Sequence, residues 1–167
     1  MTRGQSTWGL EPDSATLRTV GGHFATGVTV VTALEGDTPV GMACNSFTTV
    51  SLDPPLVLFC AMTSSSTWPR MRDATGFAIN VLAEEGESLS RVFATKDIDR
   101  FATVSHRRGA TGAPILDDAL AYFDCVPEVQ HDAGDHVIVV LRVVELGYAP
   151  EGKPLLFYRG GYGRYES

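Results

Sequence analysis

The sequence predicts a mainly β protein, a closed antiparallel β-barrel with a few short peripheral helices. Apolar and β-branched segments of strand length recur along the 167 residues, and Gly, Pro, Asn and Asp separate them. These segments do not alternate with long helical patterns, which disfavours a parallel, doubly wound sheet. A closed antiparallel barrel accommodates many short strands without exposing edge strands, so it explains the pattern better.

The N-terminal residues predict an arm followed by a helix. Residues 1–12 are polar and contain no apolar signal-peptide core, so we expect a loose arm ahead of one domain formed by residues 13–167. Asp13 and Ser14 both suit a helix N-cap, and the residues after them carry apolar side chains at helical spacing. A first short helix is therefore predicted over residues 15–24.

Residues 40–60 predict two core strands joined by a small polar segment. The run before them is apolar and β-branched throughout, as in a strand buried on both faces. Turn residues follow that run and predict a hairpin, and Asp-Pro-Pro at residues 53–55 ends one strand and begins the next. The strands predicted in this region cover residues 28–34, 39–44, 49–52 and 56–62.

The second half of the chain mixes strand patterns with short helical and irregular stretches. The hydroxyl-rich residues 64–69 predict a helix start capped by Ser66 or Thr67, and residues 87–95 predict a third helix. Residues 96–113 predict a loop anchored by Phe101. The other predictions are strands over residues 76–83, 119–129, 137–146 and 154–158, a turn over residues 131–135 and a tail over residues 159–165.

Net charge and cysteine usage limit the classes of partner. The formal net charge is −7, whereas binding to nucleic-acid phosphates favours a basic face, so no nucleic-acid partner is expected. No apolar run approaches the roughly 20 residues of a membrane-spanning helix, and we expect no membrane partner. Cys44, Cys60 and Cys125 lie in apolar strand patterns without a Cys-x-x-Cys pair, which predicts buried, reduced thiols in a cytoplasmic protein.

Several motifs of catalytic and cofactor sites are absent from the sequence. It contains no phosphate-binding Gly-x-x-x-x-Gly-Lys-Ser/Thr loop and no Gly-x-Ser-x-Gly elbow. The glycines of residues 160–163 precede no helical pattern, so they are not a Rossmann-type fingerprint. His131 and His136 flank a glycine turn, but their spacing is weak for a metal site, and we predict none.

The polar segment inside residues 40–60 predicts a bound cofactor. Its small and hydroxyl-bearing residues let the backbone approach a flat, phosphorylated ligand and supply N–H and O–H donors to it. Residues 64–67 offer further donors at a helix start. The alternative is structural: Asn45, Ser46 and Ser51 would be turn and bulge residues that satisfy local backbone groups, and residues 64–67 would be an ordinary helix cap.

Four segments carry a resemblance to a known family. They are Phe-Ala-Thr-Gly-Val-Thr-Val-Val-Thr at residues 24–32, Asn-Ser-Phe-Thr-Thr-Val-Ser-Leu-Asp-Pro-Pro-Leu at residues 45–56, Phe-Ala-Ile-Asn-Val-Leu at residues 77–82 and Gly-Asp-His at residues 134–136. The chain resembles the short-chain flavin reductases, the NAD(P)H-dependent partners of two-component flavin monooxygenases. The resemblance implies a flavin-binding split barrel with Greek-key-like topology, a homodimer, and release of reduced flavin to a partner monooxygenase.

The resemblance also implies which residues form the site. No general acid or base is expected, because the cofactors carry the hydride chemistry. The expected flavin contacts are Gly41, Met42, Ala43, Cys44, Asn45, Ser46, Ser51, Cys60, Ala61, Ser64, Ser65, Ser66, Thr67 and Phe101. The expected contacts to the nicotinamide cofactor are His136, Tyr158 and Tyr162.

The sequence departs from the family's pattern at two site positions. Ala43 stands where the family commonly has Thr, and Cys44 where it commonly has Ala, so one hydroxyl contact to the flavin ring is missing. The expected cofactors are FAD or FMN together with NADH, NADPH being possible. Three alternatives stay open: a non-catalytic flavin- or haem-binding sensor on the same scaffold, a split-barrel oxidoreductase acting on a small organic substrate, and a generic dimeric interaction domain that binds no flavin.

Overall fold

The computed structural model describes residues 7–166. Its helices are α1 (Ser14–Gly21), α2 (Trp68–Met71) and α3 (Glu87–Ala94). Its strands are β1 (Thr26–Gly27), β2 (Thr29–Glu35), β3 (Thr38–Cys44), β4 (Thr48–Leu52), β5 (Pro55–Met62), β6 (Phe77–Leu82), β7 (His106–Arg108), β8 (Pro114–Leu116), β9 (Ala119–Ala133), β10 (His136–Tyr148), β11 (Leu155–Tyr158) and β12 (Gly161–Arg164). No helix in these residues has the length and apolar character needed to span a bilayer.

Seven strands form one antiparallel sheet in the order β3-β2-β6-β9-β10-β5-β4. Two smaller antiparallel sheets accompany it, β1-β11-β12 and β7-β8. The long β9–β10 hairpin turns at Gly134, whose φ of 65° lies in the left-handed region that favours glycine. Its register places His136 opposite Met62, the last residue of β5. The prediction of a mainly β fold with three short helices is confirmed.

The predicted barrel is not closed by backbone hydrogen bonds between strands. β3 and β4 are the edge strands of the seven-stranded sheet, and within residues 7–166 no ladder joins β3 to β4 or β5. A side chain crosses the gap instead. Ser46 Oγ accepts a hydrogen bond from Cys60 N at 2.8 Å and donates one to Cys60 O at 3.2 Å. The sheet is therefore open, and Ser46 ties the end of β3 to β5.

Two apolar clusters pack against opposite faces of β2. Val31 belongs to the cluster that contains Phe59 and Phe77, whereas Val30 belongs to the cluster that contains Phe93 of α3. Residues 29–33 are all buried, which confirms the predicted burial of this strand on both faces. Because each face of β2 has its own apolar cover, the hairpin of β2 and β3 is firmly positioned beside α3.

Several predicted elements need correction. β4 is an exposed edge strand rather than a core strand, so residues 40–60 contain parts of three strands. The predicted loop contains β7, which pairs with β8, and the predicted tail contains β12, which pairs with β11. β9 runs on to Ala133, so the predicted five-residue turn shrinks to two residues. Charged or glycine-rich strands lack the apolar alternation that a sequence pattern detects.

The helix caps agree with the sequence in one case and differ in another. Asp13 caps α1 by accepting from Thr16 N at 2.8 Å, and this hydrogen bond holds the pKa of the Asp13 carboxyl below its usual value. At α2 neither predicted residue provides the cap. Ser65 Oγ does so instead, accepting from the backbone N–H groups of Thr67 and Trp68 at 3.2 Å.

The cysteines are all free, but only one of them is buried. Cys125 is buried, and desolvation raises its pKa to about 12. Cys44 and Cys60 are only partly buried, so the prediction of burial is wrong for these two.

The predicted arm falls only partly within the described residues: residues 7–12 are exposed and form no helix or strand, and residues 1–6 lie outside them.

Candidate functional site

A cavity of about 390 Å³, the site cavity, lies beside the open edge of β3. Its wall combines the end of β3, the end of β5, the hydroxyl-rich segment before α2, the end of α3 and the start of β10. Most of the predicted site residues line it: Met42, Ala43, Cys44, Asn45, Ser46, Cys60, Ser64, Ser65, Ser66, Thr67 and His136. The fold thus brings residues that are far apart in the sequence to the wall of one cavity.

The end of β3 offers small side chains and a free backbone edge to the cavity. β3 pairs only with β2, so its other edge has no strand partner in the described part of the chain. The side chains of Ala43 and Cys44 at this edge are small and leave the backbone accessible from the cavity. A flat ring can therefore approach the backbone closely enough to accept hydrogen bonds from it.

The hydroxyls of the segment before α2 divide into two kinds. Ser65 caps α2, and Thr67 Oγ1 accepts from Arg100 Nη1 at 2.7 Å, so both already serve the protein. Ser64 and Ser66 are exposed in the cavity wall. Their hydroxyls are available to a ligand, and hydroxyl donors suit phosphate oxygens.

Two cations that the sequence analysis did not single out line the same cavity, Lys96 and Arg100. Arg100 donates from Nε to Thr95 O at 2.9 Å, and from Nη1 to Gly41 O at 2.6 Å and to Thr67 Oγ1. These bonds leave Nη2 without a partner in residues 7–166. Burial lowers the pKa of this guanidinium, yet arginine stays charged in proteins. In a chain of net charge −7, two cations in one cavity indicate an anionic ligand.

The floor of the cavity is held by Ser46 and the two partly buried thiols. Ser46 Oγ lies 3.0 Å from Cys44 Sγ in addition to its two bonds to Cys60. Burial raises the pKa of the Cys44 thiol, so Cys44 is neutral at physiological pH. Because its hydroxyl is already engaged, Ser46 serves the structure at this position, which is the alternative weighed from the sequence.

His136 stands at the rim of the cavity. Thr63 binds the carbonyl of Asp135 through both its backbone N–H and its hydroxyl, at 2.9 and 3.0 Å, which fixes the start of β10. His136 Nδ1 lies 2.7 Å from Asp135 Oδ1, and this hydrogen bond lowers the pKa of the Asp135 carboxyl. With Nδ1 donating to that carboxylate, Nε2 remains for a ligand.

The other predicted site residues do not line the site cavity. The Ala61 side chain is fully buried in the core, and Ser51 lies on the exposed edge strand β4. Gly41 and Phe101 line a neighbouring cavity. Tyr158 is 46% exposed and contacts His23 edge-on.

Tyr162 lines a third, smaller cavity of about 190 Å³ that shares Ala43, Cys44 and Asn45 with the site cavity. Its hydroxyl lies 2.9 Å from Ser90 Oγ. Tyr162 therefore reaches the end of β3, but not the site cavity itself.

Within residues 7–166 no group of three or more His, Cys, Asp or Glu side chains is arranged to hold a metal ion.

The residues present fit a flavin nucleotide. The unpartnered edge of β3 suits a flat ring with hydrogen-bond acceptors, and the free Nη2 of Arg100 with Lys96 suits a phosphate. The cavity volume of about 390 Å³ falls in the range of small-molecule sites. The chemistry of the donor set thus agrees with the expected cofactor.

Known proteins are similar to this chain over most of its length. Residues 21–166 match the family described as "Flavin reductase like domain". The reductase subunit HsaB of a flavin-dependent monooxygenase from Rhodococcus jostii (strain RHA1) is 45% identical, over 90% of this chain and 77% of its own. FMN reductase (NADH) SmoA from Agrobacterium fabrum (strain C58 / ATCC 33970) is 42% identical, over 92% of this chain and 87% of its own.

Solved structures are similar as well. The NADH:FAD oxidoreductase SgcE6 of Streptomyces globisporus C-1027 superimposes with a TM-score of 0.91 at 36% identity, covering 96% of this chain and 98% of its own. The sequence match, the sheet topology and the basic, hydroxyl-lined cavity all agree. This chain belongs to the flavin reductase-like family.

Proposed function

We propose that this protein is an NADH-dependent flavin reductase that supplies reduced flavin to a separate monooxygenase. The observation that carries the proposal is the site cavity, where Lys96, Arg100 and free hydroxyls meet the open edge of β3 and His136 stands at the rim. The relatives named above act as reductase components or as NADH-dependent flavin oxidoreductases.

In this proposal the flavin phosphate is bound by two cations and two hydroxyls, those of Lys96, Arg100, Ser64 and Ser66. Charge-assisted hydrogen bonds to a phosphate are stronger than neutral ones, and Arg100 is preorganised for them because three of its N–H groups are already fixed. The backbone of residues 43–46 faces the flavin ring. Large side chains there would hold the ring away from these N–H groups.

The chain's own contribution to the reaction is orientation. The hydride chemistry would be supplied by the flavin and the reduced nicotinamide themselves. The unpartnered β3 edge supplies backbone N–H groups where negative charge develops on the ring. Because Nδ1 donates to Asp135, Nε2 of His136 is the acceptor at the rim, and in this proposal it takes a hydrogen bond from the carboxamide of the nicotinamide cofactor. No side chain is required to add or remove a proton during hydride transfer.

A homodimer in the cytoplasm is part of this proposal. Val144, Leu146 and Tyr148 alternate along β10 with exposures of 53%, 60% and 78%, so one face of this strand end is apolar and open. Leu52 on the edge strand β4 is 92% exposed. Exposed apolar surface of this kind is characteristic of protein interfaces. We propose that a second copy covers it and that the open sheet serves as the split barrel of the family.

Steady-state oxidation of NADH and NADPH, followed by absorbance with and without added FMN, FAD or riboflavin, tests the proposal. Oxidation that saturates with added flavin is expected, with NADH preferred. Lys96→Met should raise the KM for FMN and FAD, whereas Lys153→Met, at an exposed lysine that is not part of the cavity wall, should not. Flavin binding without any oxidation would instead favour the sensor alternative.

A further inference from the structure

A second cavity of about 470 Å³ adjoins the site cavity. The two share Ser66, Thr67 and Arg100 as wall residues. These are the groups at which the proposed function places the flavin phosphate. A ligand that extends beyond that phosphate therefore meets the second cavity next.

The wall between the two cavities is basic. Arg100 lines both of them, and its Nη2 has no hydrogen-bonding partner within residues 7–166. Arg70 lines only the second cavity, and its backbone N–H donates to the carbonyl of Thr67, the residue whose hydroxyl accepts from Arg100. Its partner Glu35, at 2.8 Å, lies outside both cavity walls. One guanidinium at the boundary and a second in the wall of the adjoining cavity suit a diphosphate, which carries more charge than a single phosphate ester.

The remainder of the second cavity suits a nucleoside rather than more phosphate. The carboxylates of Asp97 and Asp99 stand in its wall, where they would repel a phosphate but accept hydrogen bonds from ribose hydroxyls. Asp99 uses Oδ1 for Phe101 N at 3.0 Å and keeps its other oxygen. Pro39 and Ile98, the latter 48% exposed, provide apolar surface for a purine.

We propose that the second cavity binds the AMP half of FAD, with the pyrophosphate at Arg100 and Arg70, so that this protein selects FAD over FMN. The inference rests on the proposed function, because it extends the same site. NADH also contains an AMP half and could be the source of the same chemistry. The flavin is preferred because the second cavity begins at the phosphate end of the site, whereas His136 is not among its wall residues.

Binding of FAD, FMN and riboflavin to the full chain, measured by flavin fluorescence, tests the inference together with the KM for NADH. We expect FAD to bind about tenfold more tightly than FMN, as one added hydrogen bond to a charged group would give. Arg70→Met should bring the two dissociation constants together by weakening FAD alone. Glu35→Gln, which breaks the same ion pair outside the cavity, should preserve the FAD preference, as should Arg72→Met on the exposed side of the same helix end.

Equal dissociation constants for FAD and FMN, with normal turnover, would overturn the inference and leave the reductase function standing. The inference also falls if Arg70→Met weakens FAD and FMN alike, or if it raises only the KM for NADH, which would assign the cavity to the nicotinamide cofactor. Absence of any flavin binding would overturn both the inference and the proposed function.

Discussion

Ser46 is the side chain whose removal tests the architecture most directly. Its hydroxyl crosses the gap between the end of β3 and β5, with two hydrogen bonds to the backbone of Cys60. In Ser46→Ala the N–H and C=O of Cys60 both lose this partner. The two groups point toward the gap rather than toward β10, so no neighbouring strand can replace the hydroxyl.

The expected loss of stability follows from those two groups. Each lost hydrogen bond costs about 1 kcal/mol net, and more where the remaining group is shielded from water. Because Cys60 is only partly buried, we expect Ser46→Ala to lower the free energy of unfolding by about 2 kcal/mol. That loss corresponds to a fall in Tm of about 4–8 °C for a domain of this size.

Chemical denaturation at one fixed protein concentration measures the effect without a contribution from changes in oligomer population. Ser64→Ala is the matched control, because Ser64 lines the same cavity with an exposed hydroxyl. It should leave stability unchanged and weaken flavin binding. If Ser46→Ala unfolds at the same midpoint as Ser64→Ala while flavin binding collapses, the hydroxyl of Ser46 is a ligand contact and the bridging argument is wrong.

Three further predictions concern the protein around the site. Gly41→Ala would place a Cβ 2.9 Å from Phe93 Cε1, so we expect a loss of about 1–3 kcal/mol in denaturant unfolding. Asp124 is fully buried and accepts from the backbone N–H and hydroxyl of Thr111, so Asp124→Ala should cost about 1–3 kcal/mol and speed hydrogen exchange in residues 109–113. Burial raises the pKa of Cys125 to about 12; because the thiolate is the reactive form, its alkylation in the folded protein should keep rising with pH toward that value.

The strands of the core could be predicted because their sequence pattern depends only on burial. β2, β3, β5 and β6 begin and end within one or two residues of the positions expected from apolar and β-branched runs. β7 could not be predicted, since its three residues are a histidine and two arginines, all exposed. Its pairing with β8 is decided by tertiary contacts, to which strand propensity is only a weak guide.

The neutral half of the candidate site could be predicted, but its charged half could not. The hydroxyl and small residues lie in two compact segments, and each segment has a recognisable local pattern. Arg100 meets Gly41 and Thr67 across 59 and 33 residues of sequence. In the polar run from Lys96 onward, the sequence pattern does not show which cationic side chains point into the cavity and which are solvated. The orientation of Arg100 is determined by the fold of the segment after α3.

The opening of the sheet and the ligand site are one feature of the molecule. A closed ladder between β3 and β5 would satisfy the backbone groups of β3 internally and leave none for a flavin ring. The open edge instead exposes those groups, and it needs Ser46 and Arg100 to hold the surrounding segments in place. Stability and ligand binding therefore depend on neighbouring side chains at the same gap. Substitutions at Ser46 should lower stability first, substitutions at Ser64 or Lys96 should lower affinity alone, and changes at Arg100 should lower both, because its guanidinium serves the protein and the phosphate together.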